Sequence, residues 1–305
     1  MEKRIGDYIL LEPLGATTLA TVFRARGIKD DSHVALKLLR RYLASDEERL
    51  GTFFDHIQEV KNLNHSGILS PLEVGHSDGN AWVVYPMTED PNLGTLMTEH
   101  NHLFDLSKAL VILDGIAIAL DYAHQQGVTH QNLKPNNVFV SELDTVRLSD
   151  FAMPFLAAQA HPLVKGALKT PDPAYMAPEQ ADGKSVDSAA DVYSLGVIAF
   201  RLLTGQLPFL GTSLASVSIS RKTSDVPSAH EINPILPSGI DEIFYKVLDH
   251  LPTERFRTGE AFVESLKSLL EPELARLNSS LVDGNDTRRS QSEDVSNVPQ
   301  QLNRD

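Results

Sequence analysis

The side chains best suited to chemistry gather in two short stretches, His130-Gln131-Asn132-Leu133-Lys134-Pro135-Asn136-Asn137 and Ser149-Asp150-Phe151-Ala152. Together they hold an imidazole, an ammonium, several carboxamides and a carboxylate. Amide oxygens and carboxylates are donors that hard divalent cations take, but Asn and Asp are also frequent turn and cap residues. A lone histidine such as His130 is more often a packed core residue. Lys37, closing Val34-Ala35-Leu36-Lys37, reads in isolation as a solvated surface lysine. There is no cysteine, which excludes disulfides and thiolate chemistry without fixing the redox compartment.

The elements that must position these groups follow from periodicity. Residues 8–40 contain three β-like segments broken by turn chemistry, YILLEPLG, ATVFRARG and SHVALKLL, and predict an antiparallel meander. From Ser45 to Asn64 the spacing turns helical, with Ser45 as a cap, Glu47 and Glu48 in the first turn, and Phe53, Ile57, Val60 and Leu63 as the apolar stripe. Ile68 to Val74 and Ala81 to Met87 return to strand character, and Pro91, Asn92 and Gly94 mark a connection. Leu106 to Gly127 predicts a long apolar helix. Val128 to Asp150 predicts a loop, a strand, a turn at Leu143-Asp144 and a second strand. Asp187 to Thr204 predicts another apolar helix, stopped by Gly205 and Pro208. The expected organisation is a β-rich lobe over 1–87, a mainly helical lobe over 88–274 and a tail over 275–305. That tail is too polar to offset its ordering entropy and is expected to be disordered.

The two stretches resemble the catalytic loop and metal-binding turn of protein kinases, whose patterns are H-R-D-L-K-P-x-N and D-F-G. Val34-Ala35-Leu36-Lys37 upstream fits that family's order and spacing. So do Tyr175-Met176-Ala177-Pro178-Glu179 and Asp191-Val192-Tyr193-Ser194-Leu195-Gly196 downstream. The resemblance covers about Tyr8 to Leu270 and is nearest to bacterial eukaryotic-like Ser/Thr kinases. It implies an α+β, two-lobed kinase-like fold: a small antiparallel β N-lobe with one main helix and a larger, mainly helical C-lobe. It also implies ATP with Mg²⁺ or Mn²⁺ as cofactors. Residue by residue, Lys37 would contact the α and β phosphates, Asn137 and Asp150 would hold the metal, and Lys134 would stabilise the transferred phosphoryl group. Gly15 would open the phosphate loop. Val22, Ala35 and Phe139 would sandwich the adenine, Pro86 to Thr88 would form the hinge, with Tyr85 at the gatekeeper position. Glu179 and Arg255 resemble a buried ion pair, Asp191 the anchor of the catalytic-loop backbone, and His130 and Phe151 members of the apolar spine.

The departures decide the functional reading. Asn132 stands where the family has the aspartate that accepts the substrate hydroxyl's proton, and an amide oxygen is hardly basic. His56 stands where the helix glutamate should pair with Lys37, with Glu59 and Asp55 as the nearest substitutes. Of the phosphate-loop glycines only Gly15 remains, with Thr17 and Ala20 at the others. Gln131 replaces the arginine that meets an activation-loop phosphate, and Ala152 replaces the last residue of D-F-G. Asp172 stands where a threonine is usual, and is expected to pair with Lys134 and restore charge near Asn132, sealing the groove or acting as a displaced base.

These features give a nucleotide-binding pseudokinase with a scaffold or allosteric role as the leading expectation. A weak, atypical Ser/Thr kinase and an interaction module without nucleotide stay open. With 305 residues and 42% hydrophobic content a sizeable core is available. The formal net charge of -14 argues against nucleic acid or anionic lipid as a partner. No apolar run is long enough to span a bilayer, so the expected location is cytoplasmic and the expected partners are ATP and another protein.

Overall fold

The computed structural model describes residues 3–16, 19–44, 47–99, 104–151, 172–211 and 213–275. Ser45, Thr17, Ala152 and the tail from 276 onward lie outside the described residues.

The N-terminal part is a six-stranded sheet in the order β1-β2-β3-β4-β6-β5, built from β1 (Arg4–Ile5), β2 (Tyr8–Ala16), β3 (Ala20–Gly27), β4 (His33–Leu39), β5 (Glu73–Ser77) and β6 (Asn80–Pro86). Every pairing is antiparallel. Side chains alternate between the faces of a strand, and the two faces carry separate cores. Val34 and Leu36 of β4 join Trp82 and Val84 of β6 on the outer face, over which Ile5 folds. Leu39, Val83 and Tyr85 project to the inner face and pack against Phe53 and Ile57 of helix α1 (Glu47–Lys61). Gly75 is required beside the outer-face core, because a Cβ there would fall inside the Trp82 indole. The β5–β6 turn uses Asp78 and Gly79, both at positive φ (52° and 68°), the torsions of a two-residue hairpin.

The strand expected over Ile68 to Val74 begins only at Glu73. Pro71 removes a ladder donor, and the apolar residues before it serve the other lobe: Ile68 bridges Leu148, and Leu69 N–H donates to the Leu148 carbonyl at 2.8 Å.

The second part is helical: α2 (Leu93–Glu99), α3 (Leu106–Gln125), α4 (Ser188–Thr204), α5 (Leu214–Thr223), α6 (Ile240–Val247) and α7 over 259–275. Asp105 caps α3 by accepting from Ser107 N–H at 2.9 Å and Lys108 N–H at 3.3 Å. Asp187 caps α4, which ends at Gly205 in the left-handed region. Both helices are apolar around most of their circumference because both are central, burying Leu113, Ile116 and Leu120 of α3 and Val192, Leu195 and Phe200 of α4. A two-stranded ribbon, β7 (Val138–Val140) and β8 (Val146–Leu148), packs on α3 and presents the two chemical stretches at its ends.

Candidate active site

Lys37 pairs with Val22 on β3 and Val83 on β6, while Ala35 pairs with Arg24 and Tyr85. Directly opposed residues share a face, as do residues two apart on a strand. Val22, Ala35, Lys37 and Tyr85 therefore share the inner face of the sheet. The ammonium of Lys37 is buried, ion-paired with the Asp150 carboxylate, and lies 5.7 Å from the Tyr85 ring centroid. Burial alone would raise the Asp150 pKa, but the charge and hydrogen bond of Lys37, helped by Lys134, outweigh it and hold the carboxyl below its ordinary value.

Among the described residues, helix α1 gives Lys37 no acid. Its sheet-facing side is Phe53 and Ile57, with Val60 turned to the core of the helical lobe, while the His56 side chain is 43% exposed and holds Glu59 at 2.8 Å. Asp55 is exposed. Neither Glu59 nor Asp55 replaces the missing helix glutamate; the counter-charge comes from Asp150.

The catalytic-loop stretch is fixed by its backbone. Asp191 on α4 accepts from His130 N–H and Gln131 N–H, both at 2.7 Å. Gln131 stands at φ 58° and Asp150 at φ 66°, conformations unusual for residues with a Cβ. His130 is fully buried with its ring 4.2 Å from that of Phe151, and burial lowers its pKa, so it packs as a neutral core residue. Asn132 N–H donates to His130 Nδ1 at 3.2 Å.

A charged chain behind this loop escaped the sequence reading. His124 Nε2 lies 2.8 Å from Asp191 and its Nδ1 3.8 Å from Asp121. Asp121 accepts from Gly259 N–H and Glu260 N–H at the start of α7, each at 2.8 Å. Burial would depress the imidazole, but the two carboxylates outweigh it and push the His124 pKa up to about 9. The i, i+3 spacing of Asp121 and His124 on a predicted helix was the available signal.

Asn132, Lys134 and Asp172 line one small cleft with Tyr175 and Gln180. Asp172 accepts the Ala174 N–H at 3.2 Å, a turn-closing role, and the expected ion pair with Lys134 is not formed among the described residues. Gln131 turns its side chain back to Thr129 at 2.8 Å, while its carbonyl accepts from Gln180 at 2.9 Å. Glu179 and Arg255 form the bidentate pair, at 2.7 and 2.8 Å, both buried.

In the phosphate-loop region Gly15 pairs with Val22, and Ala20 is fully buried in the inner-face core, so its methyl packs rather than lining a cradle. At the hinge, Thr88 Oγ1 accepts from Arg147 at 2.8 Å, and Arg147 also pairs with Asp90. Arg24 on β3 pairs with Glu89 at 3.0 Å and Glu12 at 2.5 Å. These hinge pairs, too, were not read from the sequence. Val22, Ala35, Pro86 and Phe139 are all partly buried, leaving apolar surface beside the hinge.

The donor set fits a divalent cation. Asn137 is buried, its Nδ2 donates to the Asn132 carbonyl at 2.8 Å, and its amide oxygen is left for another partner. Asp150 is held in its ionised form. Two hard oxygen donors suit Mg²⁺ or Mn²⁺, which keep water and phosphate oxygens as their remaining ligands.

Comparison with known proteins agrees with this geometry. The protein kinase domain family matches residues 8–297. Serine/threonine-protein kinase PrkC of Bacillus subtilis is 30% identical over 277 residues, covering 90% of this chain and 42% of PrkC. Serine/threonine-protein kinase PknL of Mycobacterium tuberculosis is 29% identical over 264 residues, covering 87% of this chain and 66% of PknL. The chain thus spans less than two thirds of the length of these relatives. The crystal structure of the Mycobacterium tuberculosis PknI kinase domain superposes with a TM-score of 0.70 at 24% identity, over 88% of this chain and 98% of that one, a likeness of fold.

Proposed function

Because this chain belongs to the protein kinase family, within reach of the bacterial Ser/Thr kinases, we propose that it is a pseudokinase that binds ATP with a divalent cation and acts as a scaffold or allosteric partner. The observation that carries this reading is Asn132, held in the catalytic loop by its N–H to His130, with Asp172 the one acid among the described residues that line its cleft. Asp172 accepts the Ala174 N–H and makes no hydrogen bond or ion pair with Asn132 or Lys134 among the described residues. Loss of a general base costs roughly 10²–10⁴-fold in rate.

The nucleotide half of the proposal rests on Lys37, Asn137, Asp150 and Lys134. Lys37 would exchange Asp150 for phosphate oxygens, and Asp150 and Asn137 would hold Mg²⁺ or Mn²⁺, whose charge neutralises the triphosphate. Val22, Ala35 and Phe139, with the backbone of Pro86 to Thr88, would take the base; proline still offers its carbonyl.

A second reading, a slow Ser/Thr kinase, is favoured by Lys134 standing close enough to act on Asp150. One experiment separates the two: thermal shift with ATP and Mg²⁺ or Mn²⁺, beside ADP release, for the wild type and Asn132→Asp. The expected result is nucleotide-dependent stabilisation of both, little turnover by the wild type, and a gain of about 10²-fold or more in the variant. Robust wild-type turnover that Lys37→Met abolishes would overturn the pseudokinase reading.

A further inference from the structure

The outer face of the N-lobe sheet, on the far side from Lys37, carries a groove of about 340 Å³ whose rim is Lys3, Arg4, Arg40 and Arg41 and whose floor includes Phe23 and Leu38. Phe23 and Leu38 are only partly buried against the Trp82 core, so the floor is apolar and open. All four cations are exposed; Arg40 already has a partner of its own, and no acid is among the described residues that line the groove. Arg4 makes one weak ion pair, 3.5 Å to Asp7, and donates to the Gly6 carbonyl at 2.8 Å. The chain as a whole has 41 acidic and 27 basic residues, so four clustered cations run against its composition.

We infer that this groove is a docking site for a segment of a partner protein in which carboxylates alternate with apolar side chains. A segment carrying both kinds of side chain can set its apolar groups on Phe23 and Leu38 while its acids meet the cationic rim. Charge complementarity gives such a contact specificity and speed of association. The site is independent of the nucleotide reading, since none of its residues belongs to the cleft.

The test uses the full chain and a fluorescein-labelled dodecapeptide of alternating Glu and Leu, followed by anisotropy. Saturable binding is expected, weakened at least tenfold in Arg40→Glu/Arg41→Glu and unchanged in Lys184→Glu, an exposed charge elsewhere. It should weaken with rising salt, and the same peptide with Lys for Glu should not bind. A melting curve for each variant reports folding, and Lys3→Glu gives a second reversal outside the β4–α1 connection. Equal binding by wild type and both reversals would overturn the inference. So would heparin or phosphatidylserine vesicles binding in place of the peptide with the same sensitivity to the reversals, which would make the face a general polyanion surface.

Discussion

Lys37 is neutralised by Asp150, a residue 113 positions further along the chain, and not by an acid on the helix that packs against its sheet. The ion pair joins the sheet lobe to the helical lobe across the cleft, and it uses the same carboxylate that would hold a metal. Lys37→Met leaves Asp150 with no ion-pair partner. Unfolding in urea should show a loss of about 3 kcal/mol, the low end for a broken buried pair because the Asp150 side chain keeps 20% of its exposure. Thermal stabilisation by ATP should disappear in the same variant.

The turn-closing role of Asp172 predicts that Asp172→Asn changes little. Its amide oxygen still accepts from Ala174, so residual phosphoryl transfer in an Asn132→Asp background should stay within about threefold of its parent by ADP release. A collapse of that activity would instead make Asp172 a participant in proton transfer.

The Glu179–Arg255 pair is buried on both sides, so cutting one partner strands the other. Glu179→Ala should cost about 3–5 kcal/mol in chemical denaturation. Replacing both partners with apolar residues of similar size, Glu179→Leu with Arg255→Met, should recover much of that loss. Hydrogen exchange at the backbone of Tyr175 and Ala177 would report whether the segment loosens.

His124 makes stability depend on pH in the alkaline range. Its folded pKa of about 9 lies above the ordinary histidine value of 6.5, so the charged imidazole contributes fully below about pH 6.5. That contribution falls away as pH rises from there through about 9, by a few kcal/mol in order of magnitude. Denaturation midpoints between pH 6 and about 9.5 should decline for the wild type and decline less for His124→Asn.

Much of this architecture was legible because local pattern and tertiary need agree. The Phe53, Ile57, Val60 and Leu63 stripe announced a helix; its first half packs against the sheet, and Val60 and Leu63 join the core of the helical lobe. The caps Asp187 and Gly205 bracketed α4 because a helix end must satisfy its free amides and turn away. Motif spacing located Asp191 and the Glu179–Arg255 pair. The apolar run from Ile68 misled for a physical reason: its residues bridge to Leu148 instead of extending a strand, and Pro71 cuts the ladder. The partner of Lys37, 113 positions away, and the reach of His124 to Asp191 over 67 positions were hidden, since contacts that distant in the chain leave no local period.

Asp121 reaches across 138 positions to the amide of Gly259. Ribosomes deliver chain from the N-terminus, at about 5–20 residues per second. The loop carrying Asn132 is therefore synthesised long before the amides that complete its supporting charge network. Until residue 260 emerges, the Asp121 carboxylate lacks its two backbone donors, and the chain through His124 to the loop's anchor at Asp191 stands on an unfinished base. The helix over 259–275 acts as a keystone for that network, making assembly of the helical lobe a late event in the synthesis of this stretch.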